Sequence, residues 1–552
     1  MKKIFCILPA LGILAACNSY LDMTPRDSIS DKVMWASVES AEYAVNSIYS
    51  YSYDIYASWP SSVGMTEAFT DQFKYGSYVN FAYCLIPSQV AYGGTNLTNS
   101  FVSVYLGCWE SLYGAIRRTN EAISNLHTLG TGLPEADQAR LEGELRLMRG
   151  WLYFELVKRY KDVILYDEDL TQIAVDKALS PEDQAWSFIW EDLNHAAEVL
   201  PEKASARGRL DKGVALALIT RAMLYAGQYD RVIAAADQLK GLGYSLMSSY
   251  ADVFTTPIQS GNTESILQYS FSYADNVTHS FDYYYAPGGD YKLVGQQGGG
   301  FGTPTQEMVE SYELASGGFP DWSPWHGATT AEPPYKQLEP RFHATILYNG
   351  APWKDRTIEP FVGGTDGWCT WNKEPQPQGR TTTGYYLRKG VDEAHDLSQR
   401  SQSTQHFVLL RYGEALLNKA EACFRSNDGA GANAAIREIR RRVGLPYSDK
   451  SGDALWQAIR QERRVELAFE GQWYWDLRRW GDAVENYPKG LNNYQVHGLK
   501  IEATSVAGQF LYTYVSVDDK DRNFPQKMLK RFPIPDGELN SNALVDQYPE
   551  WN

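Results

Sequence analysis

The sequence predicts a mainly α-helical protein, built from tetratricopeptide-like helical pairs and interrupted by one large irregular insertion with short strands. Three observations predict it. First, KGVALALITRAMLYAGQYDRVIAAADQLKGLGY and LRYGEALLNKAEACFRSNDGAGANAAIREIRRRVGLP each read as helix, glycine-bearing turn, helix, with alanines where the helices would cross. Second, residues 251–406, between those pairs, hold 12 of the 25 prolines and five of the 16 tryptophans. A structureless loop of that length is uncommon inside a domain, so the segment reads as an irregular inserted subdomain. Third, ERRVELAFEGQWYWDLRRWG, Glu462 to Gly481, mixes heavy aromatics with charges that those aromatics would bury. Buried charges persist only when paired and hydrogen-bonded. Arg463, Glu466, Glu470, Asp476 and Arg478 are therefore expected to form a fixed ion network, with Glu466 and Glu470 on one helical face. Arginines beside carboxylates depress their pKa, whereas a general acid needs it raised, so this stretch reads as architecture.

Taken in order, residues 1–16 read as a leader, with Lys2 and Lys3 ahead of the apolar run Ile4 to Ala15. The run ends in Leu14-Ala15-Ala16-Cys17, which resembles a bacterial lipobox. That resemblance implies acylation of Cys17, and several acyl chains anchor where one is marginal. No later run of apolar residues is long enough for a membrane span. Residues 17–36 read as a tether and 37–250 as an N-terminal helical scaffold. Its helices are expected from Val38 to about Tyr51, through Trp109, Tyr113 and Ile116, then over LEGELRLMRGWLYFELVKRYKDVIL, broken near Lys161 and Asp162, and from Trp186 to Leu200. Residues 53–100 form a polar, aromatic loop within it. The insertion, 251–406, has plausible strands at Ser265 to Phe271 and Arg341 to Tyr348. Residues 407–552 read as a C-terminal helical scaffold and tail, the whole being one domain.

The chemistry is constrained by what is missing. A formal net charge of −16 and a pI near 5.1 argue against nucleic acid as a partner. There is no G-x-x-x-x-G-K-[ST], no G-x-S-x-G and no H-E-x-x-H. Cys84, Cys108, Cys369 and Cys423 form no C-x-x-C, so no metal site and no cofactor is expected. Glycosidase carboxylates need no local motif, so motif absence does not exclude them. What stands out is 38 Tyr, 20 Phe and 16 Trp, more aromatic surface than a core requires.

Flat rings beside amides and carboxylates suit sugars, whose apolar faces stack on rings and whose hydroxyl rims take directional hydrogen bonds. Two stretches have that mixture. One holds Asp71, Tyr75, Tyr78, Tyr92 and Asn96. The other holds Asp282, Tyr283, Tyr284, Tyr285, Tyr291, Asp321, Trp322, Trp325, Trp368 and Trp371. Trp322 and Trp325 rank first, because DWSPWHG reads as an exposed turn.

The Glu462–Trp480 stretch resembles E-R-R-x-E-L-x-x-E-G-x-R-x-x-D-L-x-R-W, the C-terminal signature of SusD-like (RagB/SusD) proteins of Bacteroidota. Trp473 stands where Arg is usual. Cys17, Leu21, Asp22 and Pro25 resemble the family's opening. TPTQEMVESY, LEPRFHATILYNG, TGYYLRK, LLRYGEALLNKAEA and FPIPDGELNSNALVDQYPEW resemble further family stretches in order, with Glu339, Ala543 and Tyr548 departing. The resemblance implies a SusD-like fold and a lipoprotein held by acylated Cys17 in outer-membrane lipid, exposed at the cell surface. It implies capture of a glycan and delivery to a TonB-dependent SusC-like transporter, without catalysis. A peptide-capturing relative is the nearest alternative, with a surface glycosidase or a repeat scaffold behind it. No individual ligand residue carries over by motif.

Overall fold

The structure, a computed structural model, describes residues 30–56, 66–75, 107–172, 176–204, 206, 208–292, 298–370, 380–399, 401–481, 492–518, 521–523, 527 and 530–552. Cys17, Tyr78, Tyr92, Asn96 and Trp371 lie outside the described residues, as does the leader.

Helices α1 (Asp31–Met34), α2 (Val38–Tyr56), α3 (Trp109–Leu129), α4 (Glu135–Tyr160), α5 (Glu182–Val199), α6 (Lys212–Tyr225) and α7 (Tyr229–Gly241) open the chain. Each of the longer ones packs on the next. In α4, Gly143 and Gly150 recur seven residues apart on one face. A Cβ at Gly143 would sit 2.6 Å from Val199 of α5, so the glycine sets the close crossing of α4 and α5. Asp211 caps α6 by accepting the Val214 amide, and Lys161, with φ 64°, terminates α4.

The helical stack then continues across the insertion. Helix α7 packs directly on α8 (Tyr412–Arg425), followed by α9 (Gly429–Arg442), α10 (Gly452–Glu466) and α11 (Trp473–Trp480). The chain between leaves and returns at one place, because Ser265–Tyr269 pairs antiparallel with Phe407–Arg411. The insertion has an aromatic core of its own, including Tyr285, Tyr312, Tyr335 and Phe342, which also takes in Phe73 from the N-terminal region and Val465 and Ala468 from the Glu462–Gly481 stretch.

Buried ions fasten insertion to scaffold. Arg341 and Glu339 of the insertion bind each other at 2.6 Å, and Arg341 reaches Glu462 at 2.8 Å and Glu466 at 3.1 Å. Glu466 also receives Arg411 at 2.7 Å and Arg442 at 2.5 Å. Burial raises its pKa, but Arg442, Arg411 and Arg341 outweigh that and hold the carboxyl far below its ordinary range. Glu470 pairs Arg411 and the insertion's Lys389, and Arg463 grips Asp476 at 2.8 Å and 3.0 Å. Arg478 donates to the Lys158 carbonyl and lies over Phe532 and Trp475.

Four expectations need correction. Glu466 and Glu470 do not share a helical face: α10 ends at Glu466, and a turn with Phe469 at φ 59° and Gly471 at φ 72° redirects the chain into α11. Both carboxylates still reach Arg411, because the turn brings them round it. Arg341 to Tyr348 is not a strand. Pro340, at the first helical position, pre-sets φ for a short helix, Pro340–Thr345, before the two-residue strand Ile346–Leu347. The region after 407 is more than helix and tail, since His497–Ala503 and Phe510–Ser516 form a hairpin that adds Ala328–Thr329 as third strand. Finally, the DWSPWHG turn does not expose Trp322, which is 5% exposed against Trp325 and Tyr335.

Candidate functional groove

The groove is built where the insertion and the C-terminal hairpin meet the outer face of α10. On α10, Gln457, Arg460, Gln461 and Arg464 recur at helical spacing along one side. Gln461 donates to the Ser311 carbonyl at 2.6 Å, and Arg464 to Ser311 Oγ at 2.6 Å and Asp71 at 2.9 Å. Trp473, at the family's usual Arg position, places its ring 5.3 Å from that guanidinium. The exchange replaces a charge with an aromatic face.

The opposing wall is aromatic and fixed. The helix Gln306–Val309, capped by Thr305, places Glu307 and Glu310 one turn apart. Glu307 holds His497 Nδ1 at 2.7 Å, accepts the His497 amide at 3.0 Å and accepts the Tyr494 hydroxyl at 2.9 Å. Glu310 holds His326 Nε2 at 2.8 Å. Both imidazoles pack on Tyr514, His497 at 4.3 Å and His326 at 4.8 Å between centroids. Burial, and then the Glu307 charge, push the Tyr494 and Tyr514 phenols well above their usual range, so both stay hydrogen-bond donors.

Between the walls stands Phe319, 55% exposed. Gly317 and Gly318 present it at φ 90° and 79°, where other residues are strained. The Gly318 amide donates to Glu313 at 2.9 Å, and a Cβ at Gly317 would meet Pro446 at 2.5 Å, so the turn is pinned. On one side of Phe319 lies a cleft of about 550 Å³, lined by the residues above. On the other lies a cleft of about 780 Å³ with Glu313, Arg440, Tyr447, Ser448 and Lys450. Phe319, Gln457 and Gln461 line both, so the clefts form one groove. Each lies within the ~300–1,000 Å³ range of ligand sites. A third cavity, about 180 Å³ at the scaffold seam near Lys158 and Lys389, falls below that range. Among the described residues no cluster of three or more His, Cys, Asp or Glu could hold a metal ion.

The residues expected from sequence are dispersed. Asp71 lines the groove. Tyr75 and Tyr285 are buried with their hydroxyls 2.9 Å apart. Tyr283 and Tyr284 are half-buried beside Phe301, and Tyr291 is buried with them. Trp368 packs on Val496 and Val517, and Asp282 holds His395 at 2.8 Å. Trp325 is partly exposed and donates to the Ala331 carbonyl. Trp322 anchors the loop whose neighbours, Phe319 and His326, reach the groove. Sequence reasoning missed Phe319, Tyr447, Tyr494, Tyr514 and the outer face of α10. The available signals were the GGF turn beside DWSPW and the polar i, i+3, i+4, i+7 pattern of 457–464.

Comparison with known proteins places this architecture. A profile described as "SusD family" matches residues 263–551, and one described as "Starch-binding associating with outer membrane" matches residues 19–224. A SusD-like protein of Bacteroides ovatus is 25% identical over 528 residues, 91% of this chain and 86% of that protein. The crystal structure of a SusD-like protein from Bacteroides fragilis superposes with a TM-score of 0.76 at 26% identity, covering 95% of this chain and 99% of the other. A structure titled "Laminarin binding SusD-like protein" gives a TM-score of 0.63 at 21% identity, covering 93% and 99%. By sequence over more than half its length and by a fold match covering 95% of it, the chain belongs to the SusD family.

Proposed function

We propose that the protein is a cell-surface lipoprotein that captures oligo- or polysaccharide in the Phe319 groove and passes it to a TonB-dependent, SusC-like outer-membrane transporter. The observation that carries this reading is the pinned aromatic groove itself. Rings at Phe319, Tyr514 and Tyr447 offer faces to pyranose C–H surfaces, while Gln457, Gln461 and Arg460 offer directional donors to hydroxyls. Relatives described as starch-binding, carbohydrate-binding and laminarin-binding support a glycan over a peptide.

Binding proceeds with no bond broken. A glycosidase needs a carboxylate positioned to protonate the glycosidic oxygen and a second to assist. In this groove Glu307, Glu310, Glu313 and Asp71 are each engaged by a cation or imidazole, and none is presented alone to a bound sugar. No described helix is long and apolar enough to cross a membrane, which fits anchoring through acyl chains on Cys17.

The test has two arms. Outer-membrane extracts should yield the transporter as a co-purifying partner, and Cys17→Ser should release the protein from the membrane fraction. Reducing-end release from a bound glycan, or a membrane-fixed Cys17→Ser protein, would contradict the reading.

A further inference from the structure

Resting on glycan capture in this groove, we infer that its ligand is an uncharged polysaccharide stretch laid across Phe319, with sugar units on both sides. The groove spans two clefts that meet only at Phe319, Gln457 and Gln461. A ligand that used one cleft alone would leave the side of Phe319 that lines the other cleft wetted. One that spans both covers it, and covering a Phe side chain is worth a large share of a binding free energy. The glycine turn beneath Phe319 is pinned against Pro446 and Glu313, so little ordering cost falls on binding.

Charge decides the class. The two clefts are lined by five carboxylates (Asp71, Glu307, Glu310, Glu313, Glu462) against four Arg and Lys, in a chain of net charge −16. A uronate or sulfate polymer therefore meets a repelling field at long range and, at short range, a lining with no surplus of positive charge. A cationic ligand fares no better, because those carboxylates are already engaged. Arg464 holds Asp71 at 2.9 Å, and Arg440 holds Glu313 at 2.7 Å and Glu462 at 2.5 Å. What the lining offers is ring faces and amides, which read hydroxyls and apolar sugar faces.

The test is retention of the detergent-extracted full-length protein in native gels containing neutral polysaccharides (starch, laminarin, xylan, mannan) or acidic ones (polygalacturonate, heparin), at low and high NaCl. The expected result is retardation by a neutral polymer, unchanged by salt, and weakened about tenfold or more in Phe319→Ala. Tyr43→Ala, an exposed ring on the far α2 helix, should behave as wild type. For oligosaccharides of the retained glycan, affinity should climb with length until both clefts are filled. Retardation by acidic polymers alone, abolished by salt, would overturn the charge class. Retention by a neutral polymer that Phe319→Ala leaves intact, or affinity flat from the disaccharide upward, would overturn the spanning site while glycan capture stands. Retention by none of the polymers would overturn both.

Discussion

The imidazole of His497 lies against the ring of Tyr514, with centroids 4.3 Å apart and planes 13° from parallel. Glu307 fixes that imidazole from below, so the tyrosine face is set before any ligand arrives. Tyr514→Ala should therefore lower glycan affinity about tenfold, equivalent to ~1.4 kcal/mol. Tyr514→Phe, which keeps the face, should lose much less. Isothermal titration with the retained oligosaccharide separates the two.

Trp322 and Phe319 stand three residues apart with opposite roles. Trp322 is buried and anchors the loop, so Trp322→Ala should destabilise the fold by about 3–5 kcal/mol. Phe319 is exposed, so Phe319→Ala should change stability by no more than about 0.5 kcal/mol. Urea unfolding of both variants checks this.

Glu466 is the hub on which Arg341, Arg411 and Arg442 converge. Glu466→Ala leaves three guanidinium groups short of a partner, and removing one member of a buried ion network costs about 3–5 kcal/mol. Because the folded pKa of Glu466 lies below its ordinary value of 4.5, its stabilisation is complete above that pH and drains away as pH falls. The wild-type urea midpoint should drop on acidification below that value, and the variant should show a shallower drop.

Glu67 has the opposite sign. Burial lifts its pKa from 4.5 to about 7, against the pull of the Gly471 amide at 2.7 Å and of Lys389. A raised carboxyl stabilises the fold while protonated and ceases to as pH rises through 7. Glu67→Gln keeps an acceptor for Gly471 without the titration. Its stability relative to wild type should rise as the pH climbs from about 4.5 to about 7 and level off above that.

The scaffold was legible because its signals are local. Ala-rich crossings and a glycine turn define a helical pair within some thirty residues, and both pairs fall where the sequence puts them. The charges of 462–479 were legible as ions that must be paired, but not the partners, since Arg341 and Lys389 arrive from the insertion. The groove was the least legible part. Tryptophans in a Pro-Gly turn look exposed, yet burial is decided by what packs across the turn, and Tyr335 packs on Trp322. The hairpin that supplies Tyr514 had its alternation in plain view, with Leu499 and Ile501 inward and Lys500 and Glu502 outward, but a helical reading of the C-terminal region passed over it.

The most direct test of glycan capture in this groove is calorimetric titration of one retained oligosaccharide into wild type and Phe319→Ala. The account predicts saturable binding to wild type, weakened about tenfold or more in the variant, with both proteins unfolding at the same urea midpoint. Equal affinity for the two proteins would contradict it.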